Sequence, residues 1–173
     1  MNDNKISVLV KRFRYYIENA QNKHLFQNDI FNDFPYDCCG DTCCLLAEFL
    51  LRNGIETIIV SGENEKRETH AWLVVKDYRI NKQVSRVPND IVHLLNSYQG
   101  CDYNTSNDFT YYVEDNLIDG LIIDITADQF GMEPIYVDYT CDFYKDEFVF
   151  VQANDFFGLN DNRLIDLYNT IVE

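Results

Sequence analysis

Residues 39–54 read CGDTCCLLAEFLLRNG, and this stretch decides the fold. Apolar side chains three and four residues apart share one face of an α-helix, and four of them do so here: Leu45, Leu46, Phe49 and Leu50. Asp41 falls in the first turn, where a carboxylate complements the positive end of the helix dipole. Gly54 is placed to end the helix in the left-handed conformation. The stretch therefore predicts a helix that begins at Cys39.

Short β-branched runs on either side of polar turns predict a sheet beside this helix. Residues 55–61 and 70–76 form a predicted hairpin with His70 at its base, and further strands are predicted at 109–113, 121–126, 135–139 and 148–151. An amphipathic helix is predicted to come first, through Ile6, Val8, Leu9, Phe13, Tyr16 and Ile17, and residues 163–172 are predicted to close the chain as a helix. The predicted class is α+β, with N-terminal helices packed on a mostly antiparallel sheet.

Composition limits the domain count and the partners. A chain of 173 residues without repeats or Pro/Gly/Ser-rich linkers predicts a single domain over residues 1–173. Asp and Glu number 29 against 14 Lys and Arg, for a formal charge of −15, and no basic run is present. Nucleic acid is therefore excluded as an expected partner, and an anionic membrane surface would repel so acidic a chain. The oligomeric state is left open.

The N-terminus has no apolar stretch or cleavage site typical of a signal peptide. We therefore expect the chain to be cytoplasmic as synthesised, with non-classical secretion left open. Six cysteines in such a chain predict thiols rather than disulfides. The pair Cys38-Cys39 and the pair Cys43-Cys44 do not have the spacing of a structural zinc site, so neither a metal nor a cofactor is predicted. A metal site built from these cysteines with Cys101, Cys141 or His70 is kept as an alternative.

Three residues have settings that favour thiol chemistry. Cys39 opens a helix, where backbone N–H groups and the dipole favour the thiolate. His70 opens a strand, and Asp124 ends the apolar run Leu121-Ile122-Ile123, where an acid needs a partner if it is buried. A nucleophile, a base and an acid that orients the base are the parts of a Cys-His-Asp site. Each residue alone has an ordinary alternative, such as a cysteine or a histidine that only packs in the core.

These residues resemble the three core motifs of the transglutaminase-like branch of the papain-like cysteine protease superfamily. The motifs are Cys39 with Gly54-Ile55 after the helix, His70-Ala71-Trp72, and Ile123-Asp124-Ile125-Thr126. The resemblance covers residues 35–130 and implies a papain-like/transglutaminase-like core. It also implies that Cys39 is the nucleophile, His70 the base and Asp124 the orienting acid. Trp72 lies on the same strand face as His70 and is predicted to wall the site and bind substrate.

Two features depart from that pattern. Gly40 follows the cysteine where the family usually has an aromatic residue, and the interval from His70 to Asp124 is long. Residues 78–119 are therefore read as an insertion, with a helix from Pro88 to Asn96 and a loop at 100–107 that forms a lid over the site.

The predicted function is cysteine-dependent acyl transfer at a peptide or glutamine carboxamide through a thioester, so the expected partner is a protein or peptide substrate. A protease, a deamidase and a transglutaminase share this chemistry. A different class of protein remains as the alternative, namely an inactive protein-binding module that retains the fold.

Overall fold

A computed structural model describes residues 3–76, 85–86, 110–112, 120–139, 142–148 and 150–173. Its helices are α1 (Asp3–Asn22), α2 (Cys39–Arg52), α3 (Asp142–Glu147) and α4 (Asn162–Val172), with 3₁₀ helices at Ile30–Asp33 and Ala127–Phe130. Its strands are β1 (Thr57–Glu63), β2 (Thr69–Val75), β3 (Ser85–Arg86), β4 (Thr110–Tyr112), β5 (Leu121–Asp124), β6 (Tyr136–Tyr139) and β7 (Phe150–Asp155). The α+β class is confirmed.

In the described part of the chain, seven strands form one sheet in the order β3-β4-β7-β1-β2-β5-β6. Every strand pair in it is antiparallel. The predicted hairpin is β1 and β2, with Gly62 opposite His70. Strand β5 lies on the other side of β2, with Leu73 opposite Ile123. Adjacent antiparallel strands thus bring His70, at the start of one, close to Asp124, at the end of the other.

Helix α2 begins and ends where its sequence predicts. Gly54 has a φ of +77°, and the Ile55 and Gly54 N–H groups donate to the carbonyls of Leu50 and Leu51 at 2.9 Å each. This is the Schellman arrangement, in which a glycine supplies the left-handed residue and the last carbonyls are satisfied. The chain then enters β1 at once. The position of Cys39 is therefore fixed by a well-terminated helix rather than by a loop.

Helix α1 packs against α2 and α4 with the apolar stripe that its spacing predicts, except at one position. Ile6, Leu9, Phe13 and Ile17 are buried, whereas Val8 is 56% exposed. Val8 lies between Ile6 and Leu9 in sequence but points away from the core. Val10 is buried in the core instead. The prediction for Val8 was wrong because the stripe is narrower than the apolar sequence.

The two faces of the sheet bury different kinds of side chain. One face packs against α2, which α1 and α4 contact in turn, and all three helices contribute to a mainly aliphatic core that includes Leu46, Leu73, Ile123 and Ile171. The other face packs against α3 and its flanks through a smaller cluster, which we call the aromatic cluster: Ile58, Val60, Trp72, Val74, Ile122, Tyr144, Phe148 and Ala153, bordered by Phe130, Tyr136 and Phe143. The alternation of β2 and β5 divides their side chains between the two cores.

The predicted helix at Pro88 to Asn96 and the predicted loop at 100–107 lie outside the described residues. Strands β3 and β4 belong to residues 78–119, the predicted insertion. They extend the sheet beyond β7, on the side away from β5. Helix α3 has no counterpart among the predicted elements, because its six residues carry too short a pattern. None of the described helices has the length and apolarity that crossing a bilayer requires.

Candidate active site

The first residue of α2 is the most accessible of the four described thiols. Cys39 is half-buried, whereas Cys38, Cys43 and Cys44 are buried. Burial raises the pKa of Cys38 to about 12 and raises the pKa of Cys43 well above its usual range. Both of these neighbours are therefore protonated thiols at neutral pH. Since the thiolate is the reactive form, Cys39 is the strongest candidate nucleophile among the described cysteines.

His70 is 1% exposed and lies at the start of β2. Its Nε2 is 2.6 Å from Oδ2 of Asp124, on the neighbouring strand. Aromatic rings surround the imidazole: Phe130 at 4.7 Å between centroids, Phe148 at 5.7 Å and Trp72 at 5.9 Å. Packing on these sides fixes the plane of the imidazole and excludes water from it.

Asp124 is held by donors on both carboxylate oxygens. Oδ2 accepts from His70 and from the Tyr144 hydroxyl at 2.9 Å, and Oδ1 accepts from the Thr126 backbone N–H at 2.8 Å and its hydroxyl at 3.0 Å. Burial alone would raise the pKa of Asp124, but the charge of His70 and these hydrogen bonds outweigh it and lower the pKa below the usual value. The acid is therefore an ionised, fully paired carboxylate.

The imidazole is correspondingly basic. Burial opposes its protonation, but the charge and hydrogen bond of Asp124, together with a hydrogen bond to Cys39, raise the pKa of His70 to about 9. Because Nε2 faces Asp124, Nδ1 is the ring nitrogen left for the thiol. The structure thus places Asp124 and Cys39 next to the same imidazole.

These three side chains include the groups needed to move a proton away from the Cys39 sulfur. The imidazole can accept the thiol proton at Nδ1, while the Nε2–H bond to Asp124 stabilises the imidazolium that results. Hydrogen bonds to Thr126 and Tyr144 keep the carboxylate oriented. The aromatic rings lower the local dielectric, which strengthens the attraction between imidazolium and carboxylate.

Trp72 is predicted from the sequence to wall the site and bind substrate. Its side chain is 4% exposed and packs between Tyr144 at 5.0 Å and Phe148 at 5.3 Å. Such a ring has little surface to offer a ligand, so Trp72 supports the imidazole from the aromatic cluster. The half-buried rings of Phe130 and Phe143 have more surface left for a bound molecule.

Two polar neighbours of the site were missed in the sequence. Tyr144 reaches Asp124 from α3, and the Gln129 amide nitrogen lies 3.3 Å from Nδ1 of His70. Tyr144 carries no local signal, because a tyrosine in a short polar helix is ordinary. Gln129 follows Asp124 by five residues, so the turn after the acid was the place to look for it.

Asp128, the other acid of this turn, has a different partner. It pairs with Arg14 of α1, whose Nη2 is 2.7 Å from Oδ2. Arg14 also donates to the carbonyl oxygens of Ile125 and Pro134 and to Glu18. This buried guanidinium therefore ties the segment that follows β5 to α1.

Other candidate groups are not assembled in the described residues. No three His, Cys, Asp or Glu side chains gather there in a way that could hold a metal ion. His24 is exposed, and His93 lies outside the described residues.

No family model, no curated protein and no solved structure matches this chain. What the site does is therefore inferred from its own side chains.

Proposed function

We propose that this chain is a cysteine-dependent acyl-transfer enzyme with a papain-like core in the transglutaminase-like arrangement. The order of elements supports that core, since α2 carries the thiol, β2 the histidine and β5 the acid. The substrate is a peptide or glutamine carboxamide on a protein or peptide. The geometry supports the proposed roles, in which Cys39 is the nucleophile, His70 the general base and Asp124 the orienting acid.

One observation carries this proposal. A 1% exposed histidine has one nitrogen bound to a buried carboxylate at 2.6 Å and a hydrogen bond to a half-buried thiol at a helix start. A histidine that only packed in the core would need no second ionisable partner. A carboxylate held by four hydrogen bonds is costly to bury, and it is well suited to orienting an imidazole.

In the first half of the reaction, the Cys39 proton moves to Nδ1 of His70 and the sulfur attacks the carbonyl carbon. The carbonyl π electrons move to oxygen and form a tetrahedral oxyanion. The first N–H groups of α2, including that of Cys39 itself, have no partner within the helix and are suitable donors to it. The imidazolium then gives its proton to the leaving nitrogen, and ammonia or an amine departs from the thioester.

In the second half, His70 takes a proton from water or from a second amine as that group attacks the thioester. The thiolate leaves and is protonated again. Water as acceptor gives proteolysis or deamidation, and an amine gives crosslinking, so the three activities differ only in leaving group and acceptor.

The test is labelling of the protein with iodoacetamide across pH, followed by peptide mapping. We expect Cys39 to react ahead of the other five thiols at pH 6 to 7, because among the cysteines that the structure describes it is the one beside a base. Three assays then distinguish the activities. Ammonia released from a glutamine peptide indicates a deamidase, and new termini in an unfolded protein indicate a protease. Attachment of a fluorescent primary amine to the same glutamine peptide indicates a transglutaminase.

Matched alanine variants control the labelling. Cys39→Ala should abolish the early label, whereas Cys44→Ala, on the same helix, should retain it. If Cys39 reacts no faster than the buried cysteines at any pH, the enzyme proposal is wrong. The protein is then better described as a binding module that keeps the fold.

A further inference from the structure

The Gln129 side chain has an orientation that its neighbours determine. Its Nε2 is 2.9 Å from the Thr126 carbonyl oxygen and 3.3 Å from Nδ1 of His70. A carbonyl oxygen can only accept, so the amide nitrogen rather than the amide oxygen faces Thr126. The same NH₂ group can therefore donate its second hydrogen to Nδ1 of the imidazole.

An N–H aimed at Nδ1 requires a lone pair there. His70 must then be neutral, with its single proton on Nε2, where Asp124 accepts it. Asp124 and Cys39 favour the charged imidazolium instead. Gln129 thus opposes the other two groups, and it occupies the lone pair that the thiol proton needs.

We propose that Gln129 is a positioning residue that opposes protonation of Nδ1 of His70 in the empty site, and that this opposition ends when a substrate carbonyl oxygen accepts the Gln129 N–H. This inference rests on the proposed acyl-transfer function. On substrate entry the amide hydrogen bond passes from Nδ1 to the carbonyl oxygen. Nδ1 is then free to take the proton of Cys39, and no covalent bond of Gln129 changes.

The position of Gln129 suits such an exchange. It is half-buried, on the 3₁₀ helix that follows Asp124, next to the half-buried Phe130. Thr126, which anchors the amide, also donates to Asp124 through its N–H and hydroxyl. Thr126 therefore holds both the acid at Nε2 of the imidazole and the amide near Nδ1.

Two reagents separate the two parts of this role. Iodoacetamide alkylates a thiolate without forming an oxyanion, whereas 4-nitrophenyl acetate acylates it through a carbonyl oxygen that can accept the Gln129 N–H. In Gln129→Met, which keeps the length but removes the donor, alkylation of Cys39 below pH 7 should rise about 3- to 10-fold, the equivalent of one neutral hydrogen bond. The alkylation profile should shift to lower pH, and acylation should rise less, so the acylation-to-alkylation ratio should fall.

The controls separate this inference from folding and from the parent proposal. Gln27→Met, at an exposed position, should leave both rates at wild-type values. Gln129→Asn keeps the amide but shortens its reach, so it should behave like Gln129→Met and decides the question if the Met variant does not fold. An alkylation profile identical to wild type in the folded variant overturns the role of Gln129. A wild-type Cys39 without early reactivity overturns the acyl-transfer proposal itself.

Discussion

Two acids lie four residues apart, one at the end of β5 and one on the turn that follows it, and each is paired with a nitrogen base. Asp124 pairs with His70, and Asp128 pairs with Arg14. Arg14 directs its donors at Asp128, Glu18 and two carbonyl oxygens, and a guanidinium does not lose its proton in proteins. This pair can hold two parts of the chain together, but it cannot transfer a proton.

The His70 pair is arranged for proton transfer. Its side chains are 0% and 1% exposed, against 8% and 23% in the Arg14 pair. Its base uses one nitrogen for the acid and leaves the other for Cys39 and Gln129. Under the proposed function, the two pairs differ in the base, because His70 keeps a nitrogen for the thiol and titrates in an accessible range, whereas Arg14 stays charged.

The largest effect should come from neutralising the first acid. Asp124→Asn removes the charge that stabilises the imidazolium and favours the wrong His70 tautomer, so acylation of Cys39 by 4-nitrophenyl acetate should fall by up to about 10⁴-fold, as in the equivalent Ser-His-Asp variant. The fold should survive, because the asparagine oxygen can still accept from Thr126 while its NH₂ group donates to the Tyr144 hydroxyl oxygen or to His70. Stopped-flow acylation and thermal unfolding measure the two properties separately.

Asp128→Asn is the matched control on the same turn. It should leave acylation close to the wild-type rate and lower the stability instead. If acylation of Cys39 stays at the wild-type rate in Asp124→Asn and is lost in Asp128→Asn, the orienting role belongs to Asp128. The proposed difference between the two acids would then be wrong.

The main helix and the central strands could be predicted from the sequence, because neighbouring residues determine where each of them begins and ends. The apolar spacing and Gly54 predicted α2 to within two residues at its end, and β-branched runs predicted β1, β2 and β5. The approach of His70 to Asp124 could be predicted because each residue sits at a strand end that an antiparallel sheet can bring together.

Tertiary contacts decided the rest. Tyr144 and Gln129 matter through groups on other elements, and nothing next to them in sequence indicates those partners. The burial of Trp72 depends on α3, which is too short to predict. Asp128 differs from Asp124 because it pairs with Arg14, which lies more than a hundred residues earlier in the chain.

A smaller effect, on stability alone, should come from the second pair. Arg14→Met removes the guanidinium and leaves Asp128 and two carbonyl oxygens without their donor, which should cost about 3 kcal/mol in free energy of unfolding. Urea unfolding measures the loss. Arg12→Met, at an exposed position on the same helix, should change stability by less than about 0.5 kcal/mol.

The alkylation profile of the folded Arg14→Met variant sharpens the comparison. It should keep the wild-type pH dependence, since no titrating group has been removed from the site. A loss of less than about 1 kcal/mol would show that Arg14 does not anchor the segment after β5.

The smallest effect is a pH dependence of stability that belongs to the His70 pair alone. The pKa of His70 is raised from 6.5 to about 9, so its contribution is fully present below pH 6.5 and is lost as the pH rises through 9. The pKa of Asp124 is lowered, so its contribution is present above about pH 4, its usual unfolded range, and is lost as the pH falls further.

The double variant His70→Gln with Asp124→Asn keeps a hydrogen bond between the two positions and removes both titrations. Its free energy of unfolding, subtracted from that of the wild type at each pH, isolates the pair from the rest of this highly acidic chain. The difference should be level between about pH 4 and 6.5 and should decline by on the order of 1 to 3 kcal/mol by pH 9. A difference that stays constant over that interval would mean that His70 is already neutral at pH 6.5. Gln129 would then outweigh Asp124 and Cys39 in the empty site.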